Sequence, residues 1–150
     1  MTLGKGLGGV VPLSALLAKN SCACFEYGDQ GGTFYGTLLM TAAGMAVMHT
    51  LLSEGFLEET RHHGRHMAEG LELLSKELGL GEVRDSGLLL AMELGDDIGP
   101  EVVAEARHQG LLLNAPRTHC LRFMPALNIS ADEIDDGLNI LRQVLKEVQK

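Results

Sequence analysis

The sequence predicts an α/β chain whose second half is a small α+β domain. Three observations carry that reading. Apolar residues recur at helical spacing over residues 55–78 and 130–148. Short apolar runs of strand length, bounded by glycine and other turn residues, fill the stretch between residues 83 and 123. A glycine-rich opening over residues 1–36 leads into a segment with no polar face.

Residues 1–36 read as loops around one extended run, Val10 to Leu17, in which Pro12 suits a strand start better than a helix interior. From Leu38 to Leu52 nearly every position is apolar, which predicts a helix buried all round. Between Gly55 and Leu78, the residues Phe56, Thr60, His63, Met67, Leu71, Leu74 and Leu78 fall at steps of three and four. This predicts a long one-sided helix stopped by Gly79 and Gly81, long enough to bridge two domains. Strands are expected at Val83 to Ser86, Leu88 to Leu94, Leu111 to Asn114 and Leu121 to Phe123, with a helix opening on Pro100 and ending at Gly110. Ser130 and Glu133 have capping-box spacing, and Ile134, Leu138, Leu141, Leu145 and Val148 then share one helix face. The chain divides near residue 79, into 1–79 and 80–150. A buried helix with glycine loops and one strand does not close a two-layer core, so the first part reads as the edge of a larger domain or as an oligomer interface.

Composition narrows the function. The chain carries 12 Lys and Arg against 20 Asp and Glu, a net charge of −8, and its cations are scattered, which argues against a nucleic-acid partner. No apolar run approaches the roughly 18 to 20 residues that cross a bilayer, and no secretory signal opens the chain, so no membrane partner and an intracellular, cytoplasmic setting are expected. Cys22, Cys24 and Cys120 cannot all pair, and they read as small buried hydrophobes. His62 and His66 have a spacing that can bind metal, but no carboxylate or thiol completes a set nearby. A solvated helix face with Arg61 and Arg65 interleaved is the reading adopted, and no metal is assigned. The clusters Glu58-Glu59 and Asp132-Glu133-Asp135-Asp136 are read as first turns of helices, where acids suit the dipole.

Glycine is the unusual component. There are 19 in 150 residues, against a usual fraction of about 7%. They crowd two stretches, Gly4 to Gly9 and Gly28 to Gly36. The first matches G-x-G-x-x-G literally, but it neither follows a strand nor opens a helix, and it lacks the spacing of a P-loop. A lysine flanked by glycines is informative nonetheless. Side-chain-free neighbours let a planar ligand approach the amine, and a desolvated lysine becomes a nucleophile toward an aldehyde.

The segment Thr2-Leu3-Gly4-Lys5-Gly6-Leu7-Gly8-Gly9-Val10-Val11-Pro12-Leu13-Ser14-Ala15 resembles the cofactor-anchoring lysine segment of class III pyridoxal-phosphate aminotransferases. Gly32-Thr33-Phe34-Tyr35-Gly36-Thr37-Leu38 is similar to that family's phosphate loop. Gly110 to Pro116 and Leu121 to Asn128 resemble the small domain of its acetylornithine-type members. The resemblance runs along essentially the whole chain, in order. It implies the C-terminal portion of a fold type I pyridoxal-phosphate transferase: the end of the large domain, a long interdomain helix and the small domain.

What the resemblance implies for residues follows by position. Lys5 would anchor pyridoxal phosphate and move a proton as general base. Thr33 would hydrogen-bond the cofactor phosphate across a homodimer interface. Gly32 occupies a place where many members carry a substrate-touching serine. Arg122 matches the small-domain arginine that binds a carboxylate or forms a gating ion pair. The implied reaction moves an amino group between an acylated ornithine and 2-oxoglutarate in arginine biosynthesis, with small amino acids and 2-oxo acids as partners. Departures are Val10, Ser14 and Thr37-Leu38, where the family usually has Gly, Gly and Asn-Pro. The family's partner for the pyridine nitrogen, its ring-stacking aromatic and its main substrate arginine all precede the lysine, so residues 1–150 alone are expected to show little or no transamination. The competing readings are a truncated, non-catalytic paralogue that associates through residues 38–52 and, on the histidines alone, a small metal-binding helical protein.

Overall fold

The computed structural model describes all of residues 1–150. Six strands and four helices follow in the order β1 (Thr2–Leu3), β2 (Ala15–Leu16), α1 (Leu38–Leu51), α2 (Phe56–Leu78), β3 (Val83–Ser86), β4 (Leu89–Glu93), α3 (Gly99–His108), β5 (Asn114–Arg117), β6 (Cys120–Phe123) and α4 (Ala131–Val148). By contacts the chain forms two units, Met1–Phe56 and Leu57–Lys150. The long helix α2 therefore makes its contacts within the second unit.

The second unit holds the hydrophobic core. Its sheet runs β3-β4-β6-β5, antiparallel throughout. Because side chains alternate along a strand, Leu90 and Met92 of β4 pair with Phe123 and Leu121 of β6 on one face. That face is buried with Leu71 and Leu74 of α2, Val102 and Ala106 of α3, and Leu141, Val144 and Leu145 of α4. The helical spacing read from α2 and α4 thus marks the sides that meet the sheet. Close approach also requires glycine: a Cβ on Gly64 would lie 2.9 Å from both the carbonyl carbon and the oxygen of Gly87, at the turn of the β3–β4 hairpin. The α4 capping box is present, with Glu133 N–H donating to Ser130 Oγ at 3.3 Å and Ser130 N–H donating to Glu133 Oε2 at 2.9 Å.

Two strand assignments shift. The run Val10 to Leu17 contributes only Ala15–Leu16, which pairs with Thr2–Leu3; Pro12 has no N–H to donate and a turn bonds Val11 N–H to Gly8 O. Strand β5 begins at Asn114 rather than Leu111. The α3 terminus explains this, because Gly110 takes φ 89° and Leu111 N–H donates back to Ala106 O at 2.8 Å. That closure commits Leu111 to capping the helix and packing on the core.

The first unit differs more. Helix α1 forms where expected, yet Gly44 is its one buried residue, while Leu38, Leu39, Met45 and Leu52 stand exposed. Apolar composition predicted a covered helix, and residues 1–150 do not supply the cover. Cys22 and Cys24 are exposed as well, against the expectation of buried hydrophobes, whereas Cys120 is buried. No helix is long and apolar enough to cross a membrane.

Candidate active site

Lys5 occupies the strained point of the first unit. It is the one non-glycine residue with a positive φ, 51°, in a 3-10 helix spanning Lys5–Gly8. A side chain in this left-handed region costs roughly 1 kcal/mol or more, and such residues concentrate at functional sites. Three successive turns hold the loop: Leu7 N–H to Gly4 O, Gly9 N–H to Gly6 O, and Val11 N–H to Gly8 O, at 3.0 to 3.2 Å. Beneath it, a Cβ on Gly8 would meet Leu13 Cβ at 2.9 Å, and Leu13 itself presses on Gly44 of α1. Glycine is needed there for the loop to sit on the helix. Above it, nothing lies within 4 Å of the position a Gly6 side chain would take. The result is a lysine fixed at its backbone and open at its side chain.

Lys5 borders a cleft of about 370 Å³ with Gly4, Val11, Pro12, Leu13 and Ser14. The residue is exposed, so the first unit supplies no burial to desolvate its amine.

Gly32 and Thr33 enter a turn closed by Tyr35 N–H to Gly32 O at 3.1 Å, and Thr37 Oγ1 donates to Phe34 O at 2.7 Å just before α1 starts. Thr33 is exposed, one turn ahead of a helix N-terminus, the end that favours anions. A Cβ on Gly32 would fall 2.7 Å from the Tyr35 ring. That ring is itself exposed, so a serine there needs only a ring rotation.

Arg122 belongs to the second unit. Cross-strand partners share a side, so Arg84, Ala91, Arg122 and Asn114 form one row across the sheet face turned away from the core. Arg122 Nε is buried without a hydrogen-bond partner, a state that ordinarily costs about 1–3 kcal/mol and asks for an acceptor. The residue borders an apolar cavity of about 300 Å³ that includes Met67, Leu113, Phe123 and Leu138. It also borders a shallower cleft with Arg84, Ser86 and Ala91.

Arg84 and Glu93 were not singled out from the sequence. Arg84 donates to Glu93 at 2.5 Å and to Glu82 at 3.2 Å. The Arg84 hydrogen bond holds the Glu93 carboxyl below the usual carboxylate range, and Glu93 in turn raises Arg84. Burial pushes the neighbouring Cys120 thiol up. The pair is nine residues apart, and only the β3–β4 register, Arg84 opposite Ala91, reveals it. Of the histidines, His66 Nε2 lies 2.7 Å from Asp135 Oδ1, tying α2 to α4.

Lys5, Gly32 and Thr33 thus lie in the first unit and Arg122 in the second. Taken unit by unit as a test of fit to pyridoxal phosphate, the first offers an exposed amine on Lys5 and an exposed hydroxyl on Thr33, and the second offers the Arg122 guanidinium. These are the groups an aldehyde, a phosphate and a carboxylate require.

Comparison with known proteins gives one answer. Residues 1–145 match the family described as aminotransferase class-III. The acetylornithine aminotransferase of Ralstonia nicotianae is 53% identical over 149 residues, which cover 97% of this chain and 37% of that protein. Acetylornithine aminotransferase 2 of Bordetella parapertussis is 46% identical over 153 residues, covering 100% of this chain and 39% of that one. Among solved structures, the N-acetylornithine aminotransferase of Stenotrophomonas maltophilia superposes with a TM-score of 0.82 at 30% identity, covering 97% of this chain and 39% of that chain. The acetylornithine aminotransferase of Elizabethkingia anophelis gives 0.89 at 27%, covering 97% and 40%. The chain spans about two fifths of the length of the proteins it matches.

Proposed function

The chain belongs to the class III aminotransferase family, and from that premise we propose that it is the C-terminal part of an acetylornithine aminotransferase. The reaction would move an amino group between an acylated ornithine and 2-oxoglutarate. The observation that carries this reading is Lys5, held at positive φ by a glycine loop packed on α1.

Pyridoxal phosphate, when bound, supplies an aldehyde to receive the amino group and an electron sink for the carbon that loses its proton. Lys5 Nζ would anchor it and carry the proton to and from the substrate Cα. Thr33 Oγ1 would donate to the phosphate, with Gly32 leaving the backbone accessible beside it. Arg122 would receive a substrate carboxylate through the planar fork of its guanidinium. Residues 1–79 are read as the end of the cofactor-binding domain with its connecting helix, and residues 80–150 as the small domain. The assembly is read as a cytoplasmic homodimer with Thr33 serving the neighbouring subunit's cofactor.

Because catalysis also needs the ring held in alignment, residues 1–150 alone are expected to turn over little or no substrate. The test joins them to the part of the Ralstonia relative that precedes its match, then treats the product with pyridoxal phosphate and borohydride. Lys5 should be the tagged lysine, by peptide mass, and activity toward acetylornithine should be recovered. Tagging at another lysine, or none, refutes the assignment.

A further inference from the structure

Residues 17–27 form a strap between the two loops of the candidate site. At one end Leu17 N–H donates to Met1 O at 2.8 Å, extending the β1–β2 pairing that stands just before Lys5. At the other, Asp29 N–H donates to Glu26 O at 3.1 Å and Glu26 N–H donates to Asp29 Oδ2 at 2.8 Å, ahead of Gly32 and Thr33. Between these anchors the backbone is held by one 3-10 turn, Asn20–Cys22, with Cys22 N–H donating to Lys19 O at 2.8 Å and Ala23 N–H to Asn20 O at 3.3 Å. Every residue from 17 to 27 is exposed, and two of them are cysteines, Cys22 and Cys24.

Neither cysteine has a use in the reaction proposed above. Exposure opens both thiols to a reagent in solution, whereas Cys120 is buried and that burial pushes its thiol up. Ala23, between the pair, is extended at φ −76° and ψ 100°. Residues two apart in extended chain stand roughly 6–7 Å from each other, the upper end of the roughly 4.4–6.8 Å that a disulfide spans between Cα atoms. Closing a bond between Cys22 and Cys24 therefore takes one local tightening at Ala23. The strap has no buried side chain to oppose it, and the 3.3 Å bond from Ala23 to Asn20 is the contact it strains.

We propose that Cys22 and Cys24 form a reversible disulfide by exchange with small disulfides of the glutathione class, and that closing it shifts the strap and with it the Thr33 turn. One cysteine thiolate attacks the small disulfide, forming a mixed disulfide and releasing one thiolate of the reagent. The second cysteine thiolate then attacks the protein sulfur of that mixed disulfide, forming the Cys22–Cys24 bond and releasing the other. The protein gives up two electrons and two protons, and the reagent takes up both as two thiols. An exposed bond that closes a tight ring belongs to the labile kind that reductants readily reverse. Any effect on cofactor binding rests on the reading of Thr33 above; the disulfide does not.

The experiment titrates the reduced 150-residue chain near neutral pH with mixtures of oxidised and reduced glutathione and maps the products by peptide mass. A Cys22–Cys24 link, Cys120 still free, and full reversal by dithiothreitol are expected. The Thr33 amide signal should shift on oxidation and return on reduction, and should stay still in Cys22→Ser, which can carry only a glutathione adduct at Cys24. No reaction at either thiol, a lasting glutathione adduct on the wild-type chain, a link between two chains, or a Cys22–Cys24 link that leaves Thr33 unmoved overturns the proposal. In the chain joined to the upstream part of the Ralstonia relative, oxidation should weaken retention of pyridoxal phosphate about fivefold or more, the low end of ordinary coupling between sites, and Cys22→Ser should abolish the effect. A Thr33 shift with cofactor retention unchanged leaves this inference standing and fails Thr33 as the phosphate donor.

Discussion

Arg84 and Arg122 stand in one row of the β3-β4-β6 sheet with Ala91 between them, and only Arg84 is answered by carboxylates. Two strand spacings put their Cα atoms about 10 Å apart. Glu93, 2.5 Å from Arg84, pairs with the first cation, while Arg122 makes no ion pair.

Glu93→Gln tests the pairing. Because Arg84 depresses the folded-state Glu93 pKa, the pair contributes stability that is fully present above the unfolded carboxylate value, about 4.3, and is lost as pH falls through the folded value. Wild type should exceed the variant in thermal stability at pH 7, and the two should converge only once acid has carried Glu93 through its lowered folded-state pKa. A difference that persists unchanged into strong acid contradicts this. In the variant Arg84 keeps only its bond to Glu82, so its side-chain NMR signal should shift more than in wild type when 2-oxoglutarate is added.

Two glycines of α2 separate backbone from side-chain constraint. Gly64→Ala sets a Cβ against the Gly87 backbone, which cannot rotate away. It should destabilise the second unit by about 1–3 kcal/mol. Gly70→Ala meets only the end of the Leu138 side chain and gains helix propensity, a gain worth up to about 1 kcal/mol that offsets the clash. Denaturant unfolding of both variants should show Gly64 far more sensitive than Gly70.

How much of this was legible beforehand depends on whether the deciding force was local. Helices α2 and α4 have one apolar side and, in α4, a capping box, and both occur within a residue of their expected bounds. Strand β5 was misplaced because Leu111 to Leu113 has the composition of a strand, while the Gly110 terminus uses Leu111 for a different bond. The exposure of α1 was invisible for another reason: apolar sequence states that a surface is covered and is silent on what covers it. Lys5 is marked in the sequence by its glycine neighbours, and the structure adds its own positive φ. Arg122 was legible as a residue, but its unpartnered Nε was not, since that depends on what packs around β6.

Lys5→Gly is expected to separate strain from chemistry. Glycine adopts φ near 51° at no steric cost, so the substitution should not lower the melting temperature of the joined enzyme. Turnover should fall by at least about 10⁴, because anchor and proton carrier go together. A variant that stays active shows that another amine does this work. One that melts early shows the Lys5 side chain to be a packing element.

Arg122→Leu sets the two halves of the site against each other. Removing the guanidinium removes a buried N–H that has no partner, whose cost is about 1–3 kcal/mol. The second unit should therefore be as stable as wild type or more so. Carboxylate recognition should suffer, with KM for 2-oxoglutarate rising about tenfold or more in the joined enzyme. Arg122→Lys should recover little of it, because an ammonium lacks the planar fork. Stability lost together with affinity would show that Arg122 is held for packing, and that the carboxylate must be received elsewhere.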